Sequence, residues 1–112
     1  MMTSVHFRRL GVRLAVAAAL VLQLGAIGAR ADEVKVTIDN FTFAPAELKV
    51  KVGDTVTWTN HDDIPHTVVS AGKYRSKTMD TDDHFTFTFT AAGDYKYFCS
   101  LHPHMTGMIK VE

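Results

Sequence analysis

Cys99, His102 and Met105 follow one another at three-residue intervals in the segment Tyr97-Phe98-Cys99-Ser100-Leu101-His102-Pro103-His104-Met105, and Cys99 is the only cysteine in the chain. A thiolate, an imidazole and a thioether within seven residues make a soft donor set suited to copper, provided one more imidazole arrives from elsewhere. His66, in Ile64-Pro65-His66-Thr67-Val68-Val69, is the candidate. Met108 competes with Met105 for the thioether role. A donor at 108 would need a longer loop, and Ile109 beside it has to face the core, so Met105 is the better choice. His61 and His84 lie in polar segments and read as surface histidines. His104 reads as a solvent-exposed titratable side chain, and Met79 as a filler of the core.

The amino-terminal segment bears on what Cys99 can be. Arg8, Arg9 and Arg13 form a positive region, Leu14 to Gly28 is apolar but for Gln23, and Ala29-Arg30-Ala31 offers small residues for cleavage after Ala31. Residues 1–31 therefore read as an export signal. A retained membrane anchor would need about 20 apolar residues, and this stretch has 15. The Leu10-Gly11-Val12 flank of Arg8-Arg9 matches a twin-arginine signal poorly, which favours the general secretory route to the periplasm. A single cysteine in an oxidising compartment cannot form an internal disulfide, and an unpaired thiol is a liability there unless it is buried or ligated.

The first 31 residues hold four of the twelve Lys and Arg and none of the twelve Asp and Glu, so residues 32–112 carry a net charge of −4. A mildly acidic segment of this size has no electrostatic footprint for nucleic acid. A partner recruited by charge would offer it a basic face. The 81 residues after the signal make one domain, with a core that buries roughly 60–65% of the chain's surface.

The elements that must position the donors are strands. Val34, Val36 and Ile38 alternate with polar residues, as do Leu48, Val50 and Val52, then Val56 and Trp58; Phe85, Phe87 and Phe89 interleave with threonines, Tyr95, Tyr97 and Cys99 share a face, and so do Ile109 and Val111. This is the period-two pattern of strands with one buried face. Ala44-Pro45-Ala46, Val52-Gly53-Asp54, Ala71-Gly72-Lys73 and Ala92-Gly93-Asp94 supply the turns. Seven or eight such strands predict an all-β Greek-key sandwich or barrel. Residues 72–84 are the least patterned and read as a connection between sheets, with room for a short helical turn. In this arrangement Ser100 to Thr106 form a loop between neighbouring strands, and Asn60 to Pro65 form a second loop that could bring His66 to the same pole.

Residues 32–112 resemble the cupredoxins. The matching stretches are Phe41-Thr42-Phe43-Ala44-Pro45, Val52-Gly53-Asp54-Thr55-Val56-Thr57-Trp58-Thr59-Asn60, Pro65-His66, Gly93-Asp94-Tyr95-Lys96-Tyr97-Phe98-Cys99 and Cys-x-x-His-Pro-x-Met. The short spacing from Cys99 through His102 to Met105 is similar to that of amicyanin-like proteins, with pseudoazurins and plastocyanins as wider kin. The resemblance implies a blue copper protein with His66, Cys99 and His102 as equatorial ligands of one type 1 copper and Met105 as a weak axial one. It also implies single-electron transfer in transient complexes with redox proteins such as a dehydrogenase, a cytochrome or a reductase, by a monomer that does not stay in the membrane. Enzymes built on this fold need further copper centres or a second domain, which 81 residues do not offer, so no catalysis is expected. Two positions depart from the pattern. Thr67 stands where many relatives carry asparagine, and His104 where amicyanins carry an aromatic residue. His102, His104, Met105 and Met108 together also suggest an alternative, copper storage, delivery or resistance. A closed zinc site seldom recruits methionine.

Overall fold

The computed structural model describes residues 31–112; the segment assigned to export falls, except for Ala31, outside the described residues. Alternating burial organises most of the strands. In Thr55–Asn60, the residues Val56, Trp58 and Asn60 point inward and the three threonines point outward, as β-branched and aromatic residues do on a half-buried pleated surface. Nine strands result among the described residues: β1 (Glu33–Asp39), β2 (Thr42–Ala44), β3 (Glu47–Val50), β4 (Thr55–Asn60), β5 (Val69–Ser70), β6 (Tyr74–Arg75), β7 (His84–Thr88), β8 (Gly93–Cys99) and β9 (His102–Val111). They form a four-stranded sheet, β2-β1-β4-β7, and a five-stranded sheet, β3-β9-β8-β5-β6. The β1–β4 and β3–β9 pairs are parallel and the others antiparallel. The all-β expectation holds.

Trp58, Tyr97, Phe43, Phe89, Ile38, Ile109, Val36, Val56 and Val68 are fully buried between the sheets. Phe43 meets Tyr97 edge-on at 4.7 Å and Trp58 meets Tyr97 at 5.5 Å. Truncating one of these rings to alanine would cost about 3–5 kcal/mol. Gly107, midway along β9, has no room for a side chain, because a Cβ there would collide with the phenol ring of Tyr97.

Local details differ from the sequence-based expectations. Phe85 and Phe87 are only partly buried, and Phe89 alone of that stripe is fully inside. Val52 is exposed, because β3 ends at Val50 and a turn follows. Residues 72–84 contain no helix; β6 and a bridge between His66 and Met79 organise them. The largest difference concerns the ligand loop. Only Ser100 and Leu101 lie outside strand, since β9 already begins at His102. Cys99 pairs with His102 and Phe98 with Thr106, so Pro103, His104 and Met105 bulge out of the ladder.

Candidate metal centre

Three donors from two distant stretches of the chain meet at one pole. Cys99 ends β8 and is fully buried, His102 opens β9 and is partly exposed, and His66 is fully buried in the segment before β5. Cys99 Sγ lies 3.7 Å from His66 Nδ1 and 3.6 Å from His102 Nδ1. The three donor atoms all fall within 4.8 Å of one another. Two donors each about 2.0–2.3 Å from a shared ion at a near-trigonal angle would show just such separations. The pocket therefore has the size and the chemistry for a soft metal held by one thiolate and two imidazoles.

His66 reaches this position through a chain of bonds that begins in β4. The buried Asn60 side-chain amide donates to the carbonyls of Ile64 and Met79, both at 3.0 Å, and its carbonyl accepts the Asp62 N–H at 2.9 Å. These bonds close the 60–64 turn against residue 79. The His66 main chain then pairs with Met79, N–H to carbonyl, in both directions at 3.1 and 2.8 Å. Met79 is thus a buried core residue, as its sequence suggested, and its backbone braces a donor.

The other ring nitrogen of His66 has a partner that the sequence did not announce. Nε2 lies 2.8 Å from Asp62 Oδ2. The Phe41 amide, which donates to that carboxylate, and then His66 hold the Asp62 carboxyl below the usual carboxylate range. An ionised carboxylate only accepts, so it holds a hydrogen on Nε2 and leaves Nδ1 as the nitrogen turned toward Cys99, where it can serve the sulfur or a metal. Asp62 read in the sequence as one acid of a polar loop. Its four-residue offset from His66 acquires meaning only once the turn is closed.

Around Cys99, burial disfavours the thiolate. The Thr67 amide, the imidazoles of His66 and His102 and the Leu101 amide outweigh that penalty and bring the thiol from 9.0 down to about 6. The Thr67 N–H donates to Sγ at 3.3 Å. The Thr67 hydroxyl sits 3.8 Å from the sulfur, accepts the Ser100 N–H at 2.8 Å, and lies 2.8 Å from Ser100 Oγ. Threonine thus fastens the cysteine loop in place of asparagine.

Met105 is buried within the bulge of β9, in the same core cluster as Cys99. Met108 lines a groove on the outer surface with Lys96, Thr106 and Glu47. His104 is exposed, as is His84, and the half-exposed His61 pairs with Asp82 at 3.7 Å. Phe41 drew notice in the sequence only within one of the stretches that resemble the cupredoxins. It follows Asn40 in a left-handed turn (φ 48° and 57°), which costs a bulky residue on the order of 1–3 kcal/mol.

A family model for the Cupredoxin-like domain matches residues 12–111. The chain is a cupredoxin. It is 33% identical to amicyanin of Paracoccus denitrificans, over 90% of this chain and 95% of that protein, and 38% identical to amicyanin of Paracoccus versutus, over 73% and 67% respectively. Among solved structures, this cupredoxin superposes on a purple cupredoxin from Nitrosopumilus maritimus with a TM-score of 0.69 at 33% identity, covering 70% of this chain and 99% of that one. A reduced amicyanin variant aligns with a TM-score of 0.70 at 34% identity over 78% and 89%. Plastocyanins are also among its relatives. In this family setting, His66, Cys99 and His102 form a candidate type 1 copper site.

Proposed function

We propose that this cupredoxin is an exported blue copper protein that carries single electrons between redox proteins. The observation that supports it most is the convergence of one thiolate and two imidazole nitrogens within 4.8 Å in a buried pocket. His66, Cys99 and His102 would hold the ion, with Met105 as a weak fourth donor. Bound copper would supply a one-electron couple coloured by charge transfer from the thiolate.

The chain's own residues account for the rest. The Asp62–His66 and Thr67–Ser100 bonds hold the donors by contacts that do not involve the ion, so little rearrangement is needed when the charge on the site changes. Burial of Cys99 and His66 excludes water and the hydrolytic chemistry it would bring. His102 keeps one edge partly open. Phe41, Ile64 and Leu101, three of the four exposed large apolar side chains among the described residues, lie on the segments that carry or touch the donors. An apolar rim with an open imidazole edge suits a small, transient contact with a redox partner. Relatives named amicyanin and methylamine utilization protein favour a dehydrogenase as that partner. Residues 1–31 would direct the protein to the periplasm by the general secretory route and be removed, leaving a monomeric domain over 32–112. The one donor cluster found among the described residues gives catalysis no support. A storage or delivery role would draw on His104 and Met108, and their positions, one exposed and one on the outer groove, argue against it.

The test is to express the full chain, recover it from the periplasm and load it with copper. An intense visible thiolate band and a reversible couple that keeps its metal through repeated cycles are expected. Copper uptake without that band would overturn the blue-copper reading, and ready exchange with a chelator during cycling would point to copper handling.

A further inference from the structure

Phe41 combines two features that a residue serving only the core would avoid. Its backbone adopts a conformation that favours glycine or asparagine, and 44% of its surface stays in water. Its ring stands edge-on to both histidines, 5.0 Å from His102 at 89° and 5.5 Å from His66 at 88°. Its N–H donates to Asp62 Oδ2 at 3.0 Å, and that same oxygen receives His66 Nε2 at 2.8 Å. One carboxylate oxygen thereby joins the ring of one histidine to the turn that presents an aromatic face to the other. Asp62 is itself anchored, through its N–H on Asn60 and through its carbonyl, which accepts the Thr81 hydroxyl at 2.7 Å.

His102 has no carboxylate of its own. Among the described residues its ring meets Cys99 Sγ, the His66 ring at 5.0 Å and Phe41. We propose that Phe41 is a positioning residue for His102: the Asp62 carboxylate holds the turn at Asn40 and Phe41 in its left-handed form, and the Phe41 ring so placed keeps the His102 imidazole seated toward Cys99. Observed backbone strain beside a functional group is the kind of feature that reports such a role. The inference deepens the copper reading and rests on it for its consequence, slow loss of the metal, but not for the placement of the ring.

The experiment compares the unaltered full chain with the Phe41→Ala, Phe41→Gly, Phe41→Tyr and Asp62→Ala variants. Nuclear magnetic resonance of the metal-free proteins reads the His102 ring, and transfer of Cu(I) to a chelator reads metal retention. With alanine or glycine at 41, the His102 ring resonances should shift and broaden, and copper should leave at least tenfold faster. Tyrosine should preserve both, and Asp62→Ala should speed release at least threefold. The glycine variant relieves the left-handed strain, so its metal-free melting temperature should equal or exceed that of Phe41→Ala, which separates the ring's role from folding. Unchanged His102 resonances, with release within twofold of the unaltered chain in both small variants, would overturn the proposal and leave Phe41 as partner-contact surface only. Absence of the thiolate band in the unaltered protein would instead count against the copper reading, while the metal-free spectra still decide the seating of His102.

Discussion

His66 and His102 present the same nitrogen to the same sulfur at nearly the same distance, 3.7 and 3.6 Å, yet opposite means hold them. His66 is sealed inside, its far nitrogen on a carboxylate and its backbone paired on both sides with Met79. His102 opens a strand, keeps an exposed edge, and is flanked by rings. Directional bonds in a dry interior fix one donor, and packing at the surface fixes the other. Equal distances therefore conceal unequal stiffness. The arrangement reconciles two demands on an electron carrier, a site that does not rearrange and a ligand that a partner can touch.

The sharpest way to break this comparison is to delete each ring in turn. His66→Gly should abolish the thiolate band, and added imidazole should not restore it, because the cavity is closed. His102→Gly should lose the band too but recover it with free imidazole, which enters through the open edge; visible spectra of both variants decide. Equal rescue, or none in either, would mean the two sides do not differ in access.

Next in size is the brace behind His66. Asn60→Ala strands the Ile64 carbonyl and the Asp62 N–H and removes one of the two bonds to the Met79 carbonyl, which keeps the His66 N–H, and should cost the metal-free protein about 3 kcal/mol in denaturant unfolding. A smaller loss is expected from Thr67→Val, which removes the acceptor of the Ser100 N–H but keeps the amide on the sulfur. About 1–2 kcal/mol should disappear.

The thiolate's ultraviolet absorbance in the metal-free Thr67→Val variant should still titrate near pH 6, since the amide bond to Cys99 remains. The sign follows from linkage. A thiol lowered from 9.0 to about 6 by folding stabilises the metal-free fold fully above pH 9, progressively less below it, and not at all once the pH has fallen through 6. A midpoint near 9 in the unaltered protein would contradict the role given to Thr67 and the two imidazoles. The smallest effect belongs to His104, exposed in the bulge, where alanine should change unfolding by less than about 0.5 kcal/mol.

How much of this was legible in the chain follows the same divide. Cys99, His102 and Met105 are neighbours in sequence, so their spacing alone suggested a metal, and alternation gave the strands that carry them. His66 could be proposed because Pro65-His66 opens a patterned run after a polar loop. Its support could not. Asp62 becomes a partner of His66 only through the turn that Asn60 closes, and an Asp-Asp pair in a loop carries no mark of which carboxylate will turn inward. Phe41 shows the same limit, because Phe41-Thr42-Phe43 entered only as a stretch resembling the family, and nothing in it marks the left-handed turn that sends Phe41 to the pole while Phe43 enters the core. The ligand loop looked seven residues long since nothing in Pro103-His104-Met105 signals a bulge within a paired strand.

The collision awaiting any side chain at Gly107 divides β9 into a stem and a tip. At Gly107, against Tyr97, and at the buried Ile109 and Val111 the strand belongs to the interior, so inherited or engineered variety at those positions should be purged by misfolding. Between Ser100 and Thr106, apart from His102 and the buried Met105, the chain is freer to change. A laboratory wishing to graft a foreign ligand loop onto this barrel would place its downstream seam just ahead of that glycine.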